Sequence, residues 1–417
     1  MKDTSLFSNY LFVIFFSLVL TLAFSSCQSG SQKRAQNSEK RGELSFQKRK
    51  IADSVSFMWA YYPADLTDDG IADLVFINNN AHGGYLGYFE GTEDSVLWEK
   101  NVIAKQTPGG EPFASGDLEC ADADFDGDMD VFAVGHTGEW DDANAESYVY
   151  WYENPGWEAH LIGKAPDFVK DMSIVDFDGD KKMDIALMTY ENSSLSIFSQ
   201  RAKEDWERVQ YFEDYKNIHE GMSTGDVDGD GFVDIVANGH IFYNPGENPG
   251  DQWERENLDE KWNNQSGDWS RNATKIILRD INDDGLSEIF IGHSERTGYP
   301  LSWYERGSNG EWTEHVIRDS IPACHTIQVY DFDLDGDYDV MAGMNKGRAQ
   351  ALGFDSFDVT LFLSEDDYTR WNPMLIENEG IYNGMAEDYD GDGDYDIFRY
   401  PSHDASEMYL FENKVKQ

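Results

Sequence analysis

The sequence predicts an all-β, seven-bladed β-propeller with four antiparallel strands per blade, and three observations predict it. An acidic D-x-D-x-D-G-x-x-D stretch recurs seven times. Short aromatic segments such as YWYEN follow most copies, and a W-x-x-x-x-[I/L/Y] segment follows those. Repeats of roughly 50 residues with strand and turn signals read as a propeller or a solenoid.

The acidic stretches begin at Asp65, Asp122, Asp176, Asp226, Asp280, Asp331 and Asp388, spaced 57, 54, 50, 54, 51 and 57 residues apart. Alternating carboxylates in a tight turn converge on one centre, and hard Ca²⁺ takes six to eight oxygens at about 2.3–2.6 Å. The expected ligands are Asp65, Asp69 and Asp73 in the first loop and Asp122, Asp124, Asp126 and Asp130 in the second. Asp176, Asp178, Asp180 and Asp184 serve the third, and Asp226, Asp228, Asp230 and Asp234 the fourth. Asp280, Asn282, Asp284 and Glu288 serve the fifth, and Asp331, Asp333, Asp335 and Asp339 the sixth. Asp388, Asp390, Asp392 and Asp396 serve the last. Thr67 and Asn282 replace the second ligand, Lys181 the glycine and Glu288 the closing aspartate. Up to seven structural Ca²⁺ are expected.

The strand before each loop, the one after it, the aromatic segment and the tryptophan segment make four strands, which is one blade. The seventh repeat ends without its tryptophan segment. The matching pattern stands at the other end of the chain, as Phe46-Gln-Lys-Arg-Lys-Ile51. An N-terminal strand therefore completes the last blade, and closure hides the edges an open array would expose.

These loops and strands, over about residues 43–417, resemble the FG-GAP/VCBS repeat family of Ca²⁺-loop propellers, which includes the integrin alpha head. The resemblance implies the fold and the cation. Family members include adhesion receptors, lectins and carbohydrate-active lyases or dehydratases, so it leaves the activity open among these.

Composition narrows the partners. The 32 Lys and Arg against 80 Asp and Glu give a net charge of −48, which excludes nucleic acid or an anionic membrane as a partner of the general surface. Leu11 to Phe24 is an apolar run too short for a comfortable span. It ends in Phe-Ser-Ser-Cys, which resembles a relaxed bacterial lipobox. The expected organisation is a signal peptide over 1–26, lipidation of Cys27, a polar tether over 27–42 and the propeller over 43–417. The protein is then an outer-membrane lipoprotein, periplasmic or cell-surface, touching the membrane only through its anchor. Cys120 and Cys324 are expected to stay unpaired, and the chain to be a monomer.

Let strand A line the channel and the acidic loop join A to B on the bottom face. Top-face residues then begin strand A or follow strand B. That rule gathers His82, His136, His240, His293 and His403 after strand B, and His219 and His325 at the start of strand A. His160 and His315 fall in the outer strand and read as structural. Repetition offers a plainer account of the three Gly-His pairs, as copied turn elements. The rim also carries Lys170, Arg296, Lys346 and Arg348, with Trp59, Trp140, Trp262, Trp269, Tyr299 and Tyr382. Aromatics stack on sugar faces, and Arg or Lys pairs with carboxylate or sulfate.

The sequence thus points to an anionic carbohydrate as partner and to elimination next to a uronate carboxylate, of water or a glycosidic leaving group. Such a reaction needs a base near neutral pH and a cation on the developing enolate. His219 or His240 is the expected base and His136 or Tyr382 the acid. Lys170, Arg296 or Arg348 would neutralise the carboxylate, with Glu220, His293 and His325 completing the substrate contacts. A lectin without catalysis is the alternative. A glycosidase using Glu220 with Glu139, Glu295 or Asp404 is a further one. Cys324-His325 beside the other histidines is a second-choice position for Zn²⁺.

Overall fold

The computed structural model describes residues 44–78, 84–94, 96–190, 194–213, 220–267, 270–365 and 367–415. Cys27, His82, His219 and Trp269 lie outside the described residues, as do the expected signal peptide and tether.

Strand B of each blade opens on the closing carboxylate of its loop and continues as a short, mostly apolar, buried run, and that burial explains the architecture. In blade 4 strand A is Met222–Gly225, B is Asp234–Ala237, C is His240–Tyr243 and D is Glu254–Asn257. Every residue of that B strand is buried, so both faces of the sheet are covered. Asn238 and Gly239 join B to C with positive φ of 52° and 76°. That pair matches the right-handed twist of a two-residue hairpin. Strand D is half-exposed, which is why it shows single anchoring tryptophans rather than an apolar run.

Seven such four-stranded antiparallel sheets form the ring. No blade owns a core. Phe177, Met188 and Ile197 of blade 3 pack with Ile235, Phe242 and Trp253 of blade 4, and each other neighbouring pair shares a similar cluster. Each blade is therefore stable only between two others.

The ring closes as the sequence predicts. Phe46–Asp53 pairs antiparallel with Glu407–Asn413, setting Phe46 opposite Asn413 and Asp53 opposite Glu407. Its Arg49 reaches beyond its own blade. One guanidinium nitrogen donates to the carbonyls of Thr92, Glu93 and Asp94 in blade 1, at 3.0, 3.1 and 2.9 Å. Nε stands 3.0 Å from Glu412. Ile51 joins Met58, Phe398 and Tyr400 in the cluster between blades 7 and 1.

The outer-strand histidines are packing elements. His160 stacks on Trp151 at 4.3 Å between centroids and meets Glu153 at 3.1 Å. His315 repeats this on Trp303 at 4.1 Å with Glu305 at 3.3 Å. Cys120 and Cys324 are both buried and unpaired.

Candidate functional site

The bottom-face loops are held by their own first aspartate. Asp226 accepts backbone N–H from Asp228, Gly229 and Gly231 at 3.2, 2.7 and 2.9 Å, which winds the loop around its carboxylate. Gly231 supplies the positive φ of 90° that the turn needs, and Lys181 takes the same position at 72°. Oxygens of Asp226, Asp228 and Asp230 lie within 4.8 Å of one another, and in blades 2, 3 and 6 the first, second and closing aspartates gather in the same way. This all-oxygen donor set fits a hard divalent cation.

The closing carboxylate has a second task. Asp234 is buried, and its two oxygens accept N–H from Val227 at 3.0 Å and Asn244 at 2.8 Å, tying the loop to the end of strand C. Asp73, Asp130, Asp184, Asp339 and Asp396 repeat the bond pair. Carboxylate oxygens keep further lone pairs, so this anchoring is compatible with a cation. Burial, reinforced by the neighbouring loop carboxylates, pushes Asp130 and Asp234 up to about 7 and Asp396 to about 8 against those amide bonds.

On the other face one repeated position is used differently by each blade. Trp59, Gly116, Lys170, Glu220, Thr274, His325 and Tyr382 each stand six residues ahead of the first aspartate of their loop. Trp59, Lys170 and His325 sit where the pairing of strands A and B slips, between Met58 and Ala60, Val169 and Asp171, and Cys324 and Thr326. Such bulges re-aim a side chain out of the ladder. The glycine of blade 2 leaves room. A Cβ at Gly116 would lie 2.5 Å from the Lys170 carbonyl oxygen. Thr274 braces its neighbour by donating its hydroxyl to the Glu220 carbonyl at 3.0 Å.

The result is a cavity of about 340 Å³ whose walls include Trp59, Trp140, Phe168, Tyr190 and Tyr382. Lys170, Glu220, Glu295, His325, Arg348 and His403 supply its polar groups. Asn345 caps the helical turn Lys346–Ala351, accepting N–H from Gly347 and Arg348, and so aims Arg348 at the cavity. Arg348 donates to the Glu295 carbonyl at 2.7 Å and stands 3.1 Å from its carboxylate. Lys170 meets Glu220 at 3.0 Å. Burial by itself would raise the Glu220 carboxyl, but Lys170 and then Lys275 outweigh it and hold the group far below the usual range. Burial likewise opposes the charge on Lys170, and Glu220 reverses that effect, so the ammonium persists.

His325 lies between the two carboxylates, its Nε2 3.4 Å from Glu220 and 3.3 Å from Glu295. Its tautomer is fixed from behind. Asn383 donates its amide N–H to the Trp59 carbonyl at 2.7 Å, so its oxygen accepts from His325 Nδ1 at 3.0 Å. Tyr382 packs on the same imidazole at 4.5 Å between centroids. Its phenol has no hydrogen-bond partner among the described residues, nor do the ring nitrogens of His403. Burial raises the Tyr382 pKa and lowers that of His403, leaving both neutral near pH 7.

Of the residues singled out from sequence, Lys170, Glu220, His325, Arg348 and Tyr382 meet in this cavity. His136, His240, His293 and Arg296 are not among its lining residues, and His219 lies outside the described residues. His136 has its nitrogens against the Ser147 hydroxyl at 3.0 Å and the Glu139 carbonyl at 3.2 Å. His293 accepts N–H from Glu295 at 3.3 Å and faces the Arg271 carbonyl at 3.2 Å, so it acts as a brace for the Glu295 backbone. His240 opens strand C, and burial, aided by Arg255, lowers it to about 4. Arg296 is 3.4 Å from the Ser270 hydroxyl. Trp262 and Tyr299 pack on each other rather than on the cavity. Sequence reasoning passed over Lys275, Asn383, Phe168 and Tyr190. Aligning every repeat on its loop would have found the first two, which share the position five residues ahead of it.

No curated protein matches this sequence. Two crystal structures of BBS1N in complex with ARL6DN, one soaked with lead and one with mercury, resemble the chain at a TM-score of 0.53 and 9% identity. Each likeness covers 90% of this chain and 98% of the other. At that identity the likeness is one of fold. The profile described as an FG-GAP-like repeat matches residues 176–237, from the loop of blade 3 to strand B of blade 4. The chain is a seven-bladed β-propeller in which residues 176–237 match an FG-GAP-like repeat.

Proposed function

We propose that this propeller is a carbohydrate-active lyase or dehydratase that takes an anionic, uronic-acid-containing sugar into the top-face cavity. One observation carries the reading: an aromatic-walled cavity of about 340 Å³ presents Lys170 and Arg348 in a chain whose net charge is −48. Cavities of this size suit one or two sugar units. The two cations would pair with the substrate carboxylate and stabilise the enolate that forms when the adjacent C–H is broken. The electron pair of that bond becomes the new C=C, and the C–O bond to the leaving group breaks. Tyr382 and His403 are the cavity groups able to exchange the two protons without breaking an ion pair. His403 would take one and Tyr382 deliver the other to the leaving oxygen.

Glu220 and Glu295 support a second reading, a glycosidase, because their oxygens lie within 4.8 Å of one another around His325. Retaining enzymes hold their carboxyl groups about 5–5.5 Å apart. Incubation with uronate oligosaccharides distinguishes these readings. Elimination gives an unsaturated uronate absorbing in the near ultraviolet. Hydrolysis gives new reducing ends without that absorbance, and binding without either product leaves a lectin.

The same proposal places structural Ca²⁺ in the bottom loops, supported by their oxygen donor sets, and the chain, as a monomer, on the outer membrane through lipidated Cys27.

A further inference from the structure

We propose that Glu220, Glu295 and His325 bind one divalent cation of the Zn²⁺ type on the floor of the top-face cavity. The three are 2%, 5% and 2% exposed. Their candidate ligand atoms lie within 4.8 Å of one another. His325 gives its Nδ1 proton to Asn383, so in the neutral ring Nε2 bears a lone pair, and that lone pair faces two carboxylate oxygens. Three electron-rich atoms converging in a buried place need something positive between them. Glu220 Oε1 is buried with no hydrogen-bond donor, and Lys275 stands 3.6 Å away, outside hydrogen-bond reach.

Two of the three ligand-to-ligand distances match a tetrahedral centre, and the third lies within 4.8 Å. Zn²⁺ ligands at about 2.0–2.2 Å in tetrahedral geometry lie about 3.3–3.6 Å from one another. His325 Nε2 is 3.4 and 3.3 Å from its two neighbours. The outward atoms are held as metal ligands usually are, by partners that fix their orientation. Lys170 stands 3.0 Å from the other oxygen of Glu220, the Arg348 charge 3.1 Å from the other oxygen of Glu295, and Asn383 accepts from the other nitrogen of His325. The charge of Lys275 is shared with Asp171 and Asp117 below it, which tempers its repulsion of a cation. An imidazole nitrogen with two carboxylates suits Zn²⁺ better than Ca²⁺, so this site is chemically distinct from the bottom loops. The fourth position would remain for water or a substrate oxygen. The site rests on these three residues and not on the elimination reading.

The test uses the full chain with Ca²⁺ in excess to fill the oxygen-only loops, and Co²⁺ as the spectroscopic probe. We expect one further equivalent of Co²⁺, with the intense visible bands of a four-coordinate ion, displaced by one equivalent of Zn²⁺. His325→Gln and Glu295→Gln should each weaken uptake beyond the roughly 10–100-fold that loss of an outer partner costs, while Asp228→Asn leaves it unchanged. Because a buried substitution can unfold the chain, the wild type is also read by the NMR of its imidazoles, one of which should respond to one equivalent of Zn²⁺. Folded wild-type protein that takes up no Co²⁺ and shows no imidazole response overturns the proposal, and an imidazolium then bridges the carboxylates. Uptake unchanged in both folded variants overturns it equally.

Discussion

The two faces of this propeller use repetition in opposite ways. On the bottom, each blade presents a similar acidic loop, closed by a carboxylate that accepts two backbone amides in six of the blades. On the top, one repeated position holds Trp59, Gly116, Lys170, Glu220, Thr274, His325 and Tyr382 in turn. Seven similar loops can serve only a task every blade shares, which is to hold its own strands together. Seven different residues at one position, five of them lining one cavity, can recognise something asymmetric. The contrast separates what maintains the fold from what gives it a use.

The strongest way to break this contrast is to open the ring. Removing residues 1–43 should leave the melting temperature unchanged. Extending the deletion through Asp53 removes the strand paired with Glu407–Asn413 and the Arg49 contacts to blade 1. Cooperative thermal unfolding should then be lost, since no blade has a core of its own.

Next in size is a collective effect of the loops. Without divalent cations the buried closing carboxyls keep protons that the unfolded chain has already released, because their folded pKa values stand at about 7 for Asp130, Asp184 and Asp234 and about 8 for Asp396. Stability of the cation-free protein should therefore fall as pH rises from about 4 to about 8. Saturating Ca²⁺ should flatten that slope, which chemical denaturation at several pH values would show. An equal slope with and without Ca²⁺ would remove the loops from the account of stability.

A single top-face change should cost less than either. Glu220→Ala removes the carboxylate that stands 3.0 Å from Lys170 and 3.6 Å from Lys275. The expected loss is about 3–5 kcal/mol, the range for breaking a buried ion pair from one side. Denaturant titration checks it. If the variant were as stable as wild type, the cavity charges would not be the closed network described above. Tyr382→Phe sharpens the contrast from the other direction. Its phenol has no hydrogen-bond partner among the described residues, so stability should change by less than about 1 kcal/mol, while turnover of any substrate falls about 10²–10⁴-fold, as for a lost general acid. Retention of full turnover would move the acid to His403.

The smallest effect belongs to the bottom face. Lys181 occupies the left-handed position that glycine fills in the other loops, with φ of 72°. Lys181→Gly should stabilise by about 0.5–1 kcal/mol, the residue of αL relief after glycine's added chain entropy. A calorimetric melt resolves it.

The sequence by itself determined the blade. Loop spacing, the buried runs such as Asp234–Ala237 and the displaced Phe46–Ile51 pattern are local signals, because each strand meets its partner through short turns or through the one closure the pattern demands. It also exposed half of the cavity, since Lys170, Glu220, His325, Arg348 and Tyr382 stood out as charges and aromatics on the expected face. Only the tertiary structure decided which top-face histidines reach the opening. His136, His293 and His325 are all buried polar residues near strand ends. The first two meet the backbone carbonyls of Glu139 and Arg271, whereas a one-residue slip in the pairing of strands A and B turns His325 towards Glu220 and Glu295. That slip depends on how adjacent blades crowd strand A, with Gly116 yielding space to Lys170 and Asn383 bridging Trp59 to His325. Such contacts join residues 54 to 324 positions apart in the chain, and the physical reason they escape a sequence reading is that only the packing of blade on blade, and for Asn383 and Trp59 the closure of the ring, brings them together.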